Sequence, residues 1–265
     1  MTTTFTILGC GSSMGVPRVA LGWGACDPNN PKNRRRRCSL LVERQGADGR
    51  TTVLVDTSPD LRAQLLDAQV QSVDAVLFTH EHADHIHGID DLRPLFIRQK
   101  RRVDVYLDEM TARTVHQRFA YCFWTPPGSE YPPILSDRRV VPGEPLTIPG
   151  PGGPIEVLPY WQDHGDISSV GYRFGNFAYS VDLKNIPPAS VEALAGLEVW
   201  VVDALRYAPH PSHFNLEEAL YWIDRIRPRR TILTNLHSDL DYEELRRKLP
   251  ARVEPAYDGI QFSSA

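Results

Sequence analysis

The sequence has little that would take it out of the ordinary globular class. It carries four cysteines in 265 residues, none in a Cys-X-X-Cys spacing. Neither a disulfide framework nor a cysteine-built metal knuckle is expected, and Cys10, Cys26, Cys38 and Cys122 read as reduced thiols of a cytoplasmic protein. There is no run of about 18 uncharged apolar residues of the kind a membrane span requires, and the opening MTTTFTILG lacks the basic and long apolar regions of a secretory leader. Positive charge is not in excess either. The net charge is −4, which disfavours a long polyanion, whose binding rests on many Lys and Arg contacts to phosphate; a small anion held at a local site is not excluded. Repeats, low-complexity stretches and linkers are absent, so residues 1–265 are expected to form one domain.

What is there is an alternation of short apolar runs with helical patterns. FTILG, SLLVE, TTVLVD, DAVLFT and VDVYLD read as strands in the first half. Helices are expected over 57–69 (Ser58 as N-cap and Pro59 at its first position), 84–99 and 110–123. Residues 125–143, rich in Pro and turn formers, read as a long loop. PIEVLPYW, SVGYRF, FAYSVD, EVWVVDA and TILTNL follow as strands, with helices at 188–195, in NLEEALYWIDRI and in DYEELRRKL, and VEPAYDGIQFS closes as one or two strands. Such a series fits two packed sheets with helices outside, although periodicity alone does not separate this from a doubly wound sheet.

The chemistry is concentrated in Thr79-His80-Glu81-His82-Ala83-Asp84-His85. His80 and His82 are two apart just past a strand end, and in extended backbone both rings face one ion. Asp84 and His85, at the turn into a helix, face a second. Imidazole with carboxylate suits Zn, Mn or Fe. Two ions roughly 3.5–4 Å apart form the arrangement that activates water and holds an anionic substrate oxygen.

THEHADHIHG resembles the signature of the metallo-β-lactamase superfamily, and the likeness extends over residues 5–260. It implies an α/β fold, a four-layer αββα sandwich, with two divalent metal ions (Zn or Mn). One ion would lie on His80, His82 and His164, the other on Asp84, His85 and a histidine near the last strand, with Asp182 bridging. The resemblance places Thr-His where this chain has Thr234-Asn235; His237, two residues on, is preferred to Asn235 because i and i+2 share a face in a strand and imidazole is the better ligand. LGCGSSMGVP, RRRRCS and PSHFNLEEAL resemble, more narrowly, the PhnP-type phosphodiesterases that act on cyclic phosphates of phosphorylated ribose, and more distantly the transfer-RNA 3′-processing nucleases. That branch implies His213 near the leaving group, and catalytic roles are assigned to His213 and Asp84. Ser212, His213 and His210 are expected to meet substrate phosphate at a helix N-terminus. Asp56 and Asp203, each ending a strand, are expected to orient the ligands through hydrogen bonds. A cysteine-held structural zinc is not expected, because Leu21 and Trp23 stand where the resemblance calls for cysteines.

Among other candidates, Arg34 to Arg37 read first as a solvated loop, with arginines that touch substrate phosphate or brace the core as the alternative. His87, on the helix after the motif, reads as a core or surface histidine, with support of the ligands as the alternative, and His116 as structural. Gly9, Gly11 and Gly15 lack a phosphate-loop spacing and read as a tight turn at the site floor. The expected activity is metal-dependent hydrolysis of a small cyclic or ribose-type phosphate ester, without a long nucleic acid or a membrane as partner; a homodimer is compatible with it. The alternatives are hydrolysis at a carbon centre (lactone, thioester or lactam) and a non-hydrolytic role resembling the pyrroloquinoline quinone branch.

Overall fold

The computed structural model of the chain describes residues 2–264. The first half contributes β1 (Thr2–Gly9), β2 (Ser39–Gly46), β3 (Gly49–Val55), β4 (Ala75–Leu77), β5 (Val103–Leu107) and β6 (Leu135–Arg139). The second contributes β7 (Leu146–Ile148), β8 (Ile155–His164), β9 (Ile167–Phe174), β10 (Phe177–Ser180), β11 (Val199–Asp203), β12 (Arg230–Thr234) and β13 (Val253–Pro255). The last strand, β14 (Gln261–Ser264), returns to pair with β1. The two sheets run β14-β1-β2-β3-β4-β5-β6 and β13-β12-β11-β10-β9-β8-β7. The helices are α1 (Leu61–Asp67), α2 (Ala83–Ile86), α3 (Arg93–Gln99), α4 (Glu109–Phe123), α5 (Pro188–Val191), α6 (Leu216–Ile226) and α7 (Tyr242–Lys248).

The period of two within strands builds the layers. In β3, Val53 and Val55 enter the core between the sheets, while Leu54 points the other way, into the core shared with α1 to α4. In β11, Val201 faces the inter-sheet core, whereas Trp200 and Val202 pack outward with Ala219, Trp222 and Ile223 of α6. Strands buried on both faces read as continuous apolar runs, which is why VLV and VWVV show no alternation. Three apolar layers between four structural ones make the αββα sandwich.

Three local expectations need revision. The expected helix over 84–99 is broken into α2, a 3-10 turn at Ile89–Leu92 and α3. Gly88 lies so close to the 57–58 segment that a Cβ there would sit 2.1 Å from the Ser58 carbonyl oxygen, and its N–H is donated to Thr57 O (2.9 Å). The helix expected from Ser58 starts only at Leu61; Ser58 instead accepts the Asp60 N–H in a turn. The 125–143 segment contains β6, which lies parallel on β5 as an edge strand. LSDRR buries only Leu135 and otherwise stays polar, as an edge that must resist further pairing does, so hydrophobic pattern does not reveal it.

The parallel runs β3-β4-β5-β6 and β10-β11-β12-β13 gather strand C-termini at one edge of the sandwich, where ligands of open α/β sheets are commonly met. Asp56, Asp182 and Asn235, each one or two residues past a strand, have φ of 62°, 53° and 60°. This left-handed conformation is uncommon outside glycine and is tolerated best by Asn, Asp and His. At each of these strand ends the alternation of faces stops.

Candidate metal centre

The His80–His85 segment is clamped from below. Asp56 Oδ1 accepts the Thr79 N–H (2.8 Å), and its Oδ2 accepts the Thr79 hydroxyl (2.8 Å) and His85 Nδ1–H (2.7 Å). Because the Thr79 hydrogen is given to Asp56, its Oγ1 accepts from His80 Nδ1 (3.0 Å). His164 Nδ1 likewise donates to the Ser212 carbonyl (2.7 Å). Fixing the proton on Nδ1 leaves Nε2 of His80, His85 and His164 as bare acceptors.

Those bare nitrogens converge. His80 Nε2 and His164 Nε2 lie 3.0 and 3.2 Å from His82 Nδ1, and each lies 3.5 Å from Asp182 Oδ2. These four donor atoms are all within 4.8 Å of one another. One hydrogen on His82 does not satisfy two imidazole acceptors and a carboxylate together; a cation among them does. His85 Nε2, buried and with no hydrogen-bond partner among the described residues, points between Asp84 Oδ2 (3.4 Å) and Asp182 Oδ1 (3.5 Å). Asp84, His85 and Asp182 form a second donor group. The residues therefore fit divalent metal.

The electrostatics agree. Burial first, and then the neighbouring His85 ring, hold His80 well below the usual imidazole range, and burial also lowers His164; both are neutral, the form that ligates. Burial opposes charge on His85 too, but Asp182, Asp84 and Asp56 outweigh it and raise the ring well above its ordinary value. Positive charge is called for at that point, as a proton on Nε2 or as a metal.

Beside Asp182 sits a second device. His213 Nδ1 donates to Asp203 Oδ2 (2.8 Å), and its Nε2 lies 3.9 Å from Asp182 Oδ2. Burial disfavours the imidazolium, yet Asp182 and Asp203 prevail and push His213 up to about 9. His213 and Ser212 stand just before Asn215, which caps α6 through a capping box with Glu218. His210, pushed down to about 4 by burial and by His213, accepts the Ser212 N–H through Nδ1 (3.3 Å). A cleft of about 230 Å³ opens over the donor groups, lined also by Ser12, Ser13, Met14, Arg206, His210, Ser212 and His213. The Gly9–Gly15 turn thus supplies part of the cleft wall.

His237 is the exception among the expected ligands: the structure does not bring it into either donor group. Its Nδ1 is bonded to Asp239 Oδ1 (2.8 Å), and its Nε2 accepts from Arg18 (2.9 Å). Asn235 lies at the cluster instead, and its Nδ2 donates to Asp182 Oδ1 (2.9 Å). The argument from i and i+2 fails because β12 ends at Thr234 and Asn235 is left-handed. Nor is the Arg34 to Arg37 run solvated throughout: only Arg34 is exposed. Arg35 is buried and donates to the carbonyls of Leu240 (2.8 Å) and His237 (3.3 Å), so it braces the 235–240 segment, while Arg37 pairs with Asp60 (2.8 Å) and Arg36 with Asp67. His116 pairs with Asp137 (3.0 Å), and His87 is exposed on Phe119. Sequence reasoning missed Thr79 as a clamp; a hydroxyl residue at a strand end directly before the first histidine was the available signal.

The clamp gives a direct expectation. Asp56→Ala leaves the Thr79 groups and His85 Nδ1 without their acceptor, and loss of such an orienting group weakens metal binding by about 10–100-fold. Competition with a chromophoric chelator measures it; an unchanged dissociation constant would show that Asp56 does not set the ligand geometry.

The family model of the beta-lactamase superfamily domain matches residues 51–235. A solved diphosphatase of the PhnP family is 37% identical, with TM-score 0.88, over 100% of this chain and 98% of that one. An octanoyltransferase of Porphyromonas gingivalis is 35% identical over 96% of this chain and 50% of its own length. A ribonuclease Z of Methanopyrus kandleri is 30% identical over 54% of this chain and 45% of its own. The chain thus spans about half the length of the curated relatives it matches. With the αββα sandwich, the histidine-aspartate cluster at its edge and these matches together, the chain belongs to the metallo-β-lactamase superfamily of hydrolases, in its PhnP-like branch.

Proposed function

We propose that the chain is a dinuclear-metal-dependent phosphodiesterase acting on a small cyclic or ribose-type phosphate ester. The observation that carries this reading is His213, held by Asp203 with Nε2 turned towards Asp182 and the cleft. An alkoxide expelled from phosphorus needs a proton, and a protonated histidine at the mouth of the donor groups is placed to give it. Divalent ions, when bound, lower the pKa of a water and draw charge from the phosphoryl oxygens. His80, His82 and His164 would hold one ion and Asp84 and His85 the other, with Asp182 shared. Ser212 and Arg206, which line the cleft, would meet the remaining phosphate charge; the N-terminus of α6 would not, since its N–H groups are taken by the capping box and by the Arg206 carbonyl. The diphosphatase and ribonuclease Z relatives are both named for phosphate chemistry, which supports the class.

Size and charge favour a small ester over RNA. The cleft of about 230 Å³ lies below the usual range of sites for drug-sized ligands, and the chain carries net negative charge. One comparison favours a second reading, hydrolysis at an acyl carbon: the octanoyltransferase relative, half of whose length lies outside the match. Metal-stripped and metal-restored protein, assayed on bis-p-nitrophenyl phosphate, a cyclic ribose phosphate, an octanoyl thioester and a precursor transfer RNA, separates the readings. Metal-dependent turnover of the two small phosphate esters is expected. Thioester cleavage faster than phosphate cleavage, or trimming of the RNA 3′ trailer at rates above those on small esters, would overturn it.

A further inference from the structure

We propose that the two ion positions are unequal: the position of His80, His82, His164 and Asp182 retains zinc, whereas that of Asp84, His85 and Asp182, closed by the amide of Asn235, holds its ion weakly and accepts harder ions such as manganese. This rests on the two-ion part of the functional reading and not on the identity of the substrate.

The first position offers three imidazoles and one carboxylate oxygen, with all four donor atoms already within 4.8 Å of one another. The second offers one imidazole and two carboxylates, and the side chain beside Asp182 Oδ1 is an amide that now donates to it (2.9 Å). For Asn235 to ligate, the amide must turn over and present its oxygen, giving up that bond. Even then it supplies a neutral oxygen where an imidazole or carboxylate would bind more strongly. Oxygen-rich donor sets suit manganese and magnesium, and imidazole-rich ones suit zinc. Among the described residues the other imidazoles are turned elsewhere: His237 is engaged at both ring nitrogens, by Asp239 and Arg18, and His213, whose Nε2 lies 3.9 Å from the other oxygen of Asp182, Oδ2, groups with Asp182 and Asp203 and not with Asp84 and His85. The backbone does not force an amide here, since the left-handed φ of 60° at Asn235 is also tolerated by Asp and His.

The test is metal retention, read without any assay of activity. Stripped protein is loaded with excess zinc, passed through a desalting column and analysed for metal; a second sample, preloaded with one zinc equivalent, is titrated with manganese and followed by electron paramagnetic resonance. About one zinc per chain should remain, and one manganese should bind beside it. Asn235→Asp, close to isosteric, and Asn235→His, which supplies the missing imidazole, should each tighten the second ion by about tenfold or more, the scale on which changes around a metal site act. Two zinc ions retained equally by the unaltered chain would overturn the inequality. So would an unchanged second dissociation constant in Asn235→Asp. A chain that binds no ion would overturn the two-ion reading along with it, whereas a failed phosphodiesterase assay with one ion retained would overturn only the substrate class.

Discussion

Asp182→Asn is expected to lose most bound metal and to lower turnover of a small phosphate ester by on the order of 10³-fold or more, the equivalent of several kcal/mol of transition-state stabilisation. Among the described residues, Asp182 is the one side chain common to both donor groups. Its Oδ2 faces His80 and His164, and its Oδ1 faces His85. Burial works against its charge, but His85 and His213 hold the carboxyl well below the ordinary carboxylate range, which favours the anion. The amide removes that charge and keeps the shape, and asparagine tolerates the left-handed φ of 53°. The loss is therefore one of ligation and not of fold, and far-ultraviolet circular dichroism should stay native. Elemental analysis and turnover are measured on the same sample. A variant that retained its metal and more than a tenth of its activity would remove Asp182 from the centre of the site.

The large features of this molecule are written in short-range patterns. The buried strands, the capped α6 and the His80–His85 cluster are local, and a reader of the sequence alone can place them. The donor His164, on β8, is separated from that cluster by more than seventy residues, and there the resemblance supplied what spacing does not. What stayed hidden depended on backbone turns that only the folded sheet imposes. Asn235 and His237 are two residues apart, and the choice between them turned on one left-handed residue at the end of β12. β6 went unread because an edge strand satisfies its backbone on one side without an apolar face. Arg35 read as part of a charged loop because its acceptors, the carbonyls of His237 and Leu240, lie some two hundred positions away.

His213→Ala is expected to slow hydrolysis of a ribose-type phosphate ester by about 10²–10⁴-fold, the usual range for a lost general acid, with metal content unchanged. Metal content separates this variant from Asp182→Asn, because His213 belongs neither to the His80-His82-His164 group nor to the Asp84-His85 group. The acid role also makes the effect depend on the leaving group. A sugar alkoxide is a poor anion and needs the proton, whereas p-nitrophenolate leaves readily without it, so the loss should be much smaller on bis-p-nitrophenyl phosphate. The charge state supports this role: despite its burial, Asp182 and Asp203 raise His213 to about 9, so the acid form is the resident one at neutral pH. That form is lost as pH rises through the folded value, which predicts an alkaline fall in kcat that disappears in His213→Ala. Asp203→Asn keeps an acceptor for Nδ1 but removes one of the charges raising the ring, and should move the fall to lower pH. Equal losses on both esters, or a variant as active as the parent on the ribose ester, would show that His213 does not deliver the proton.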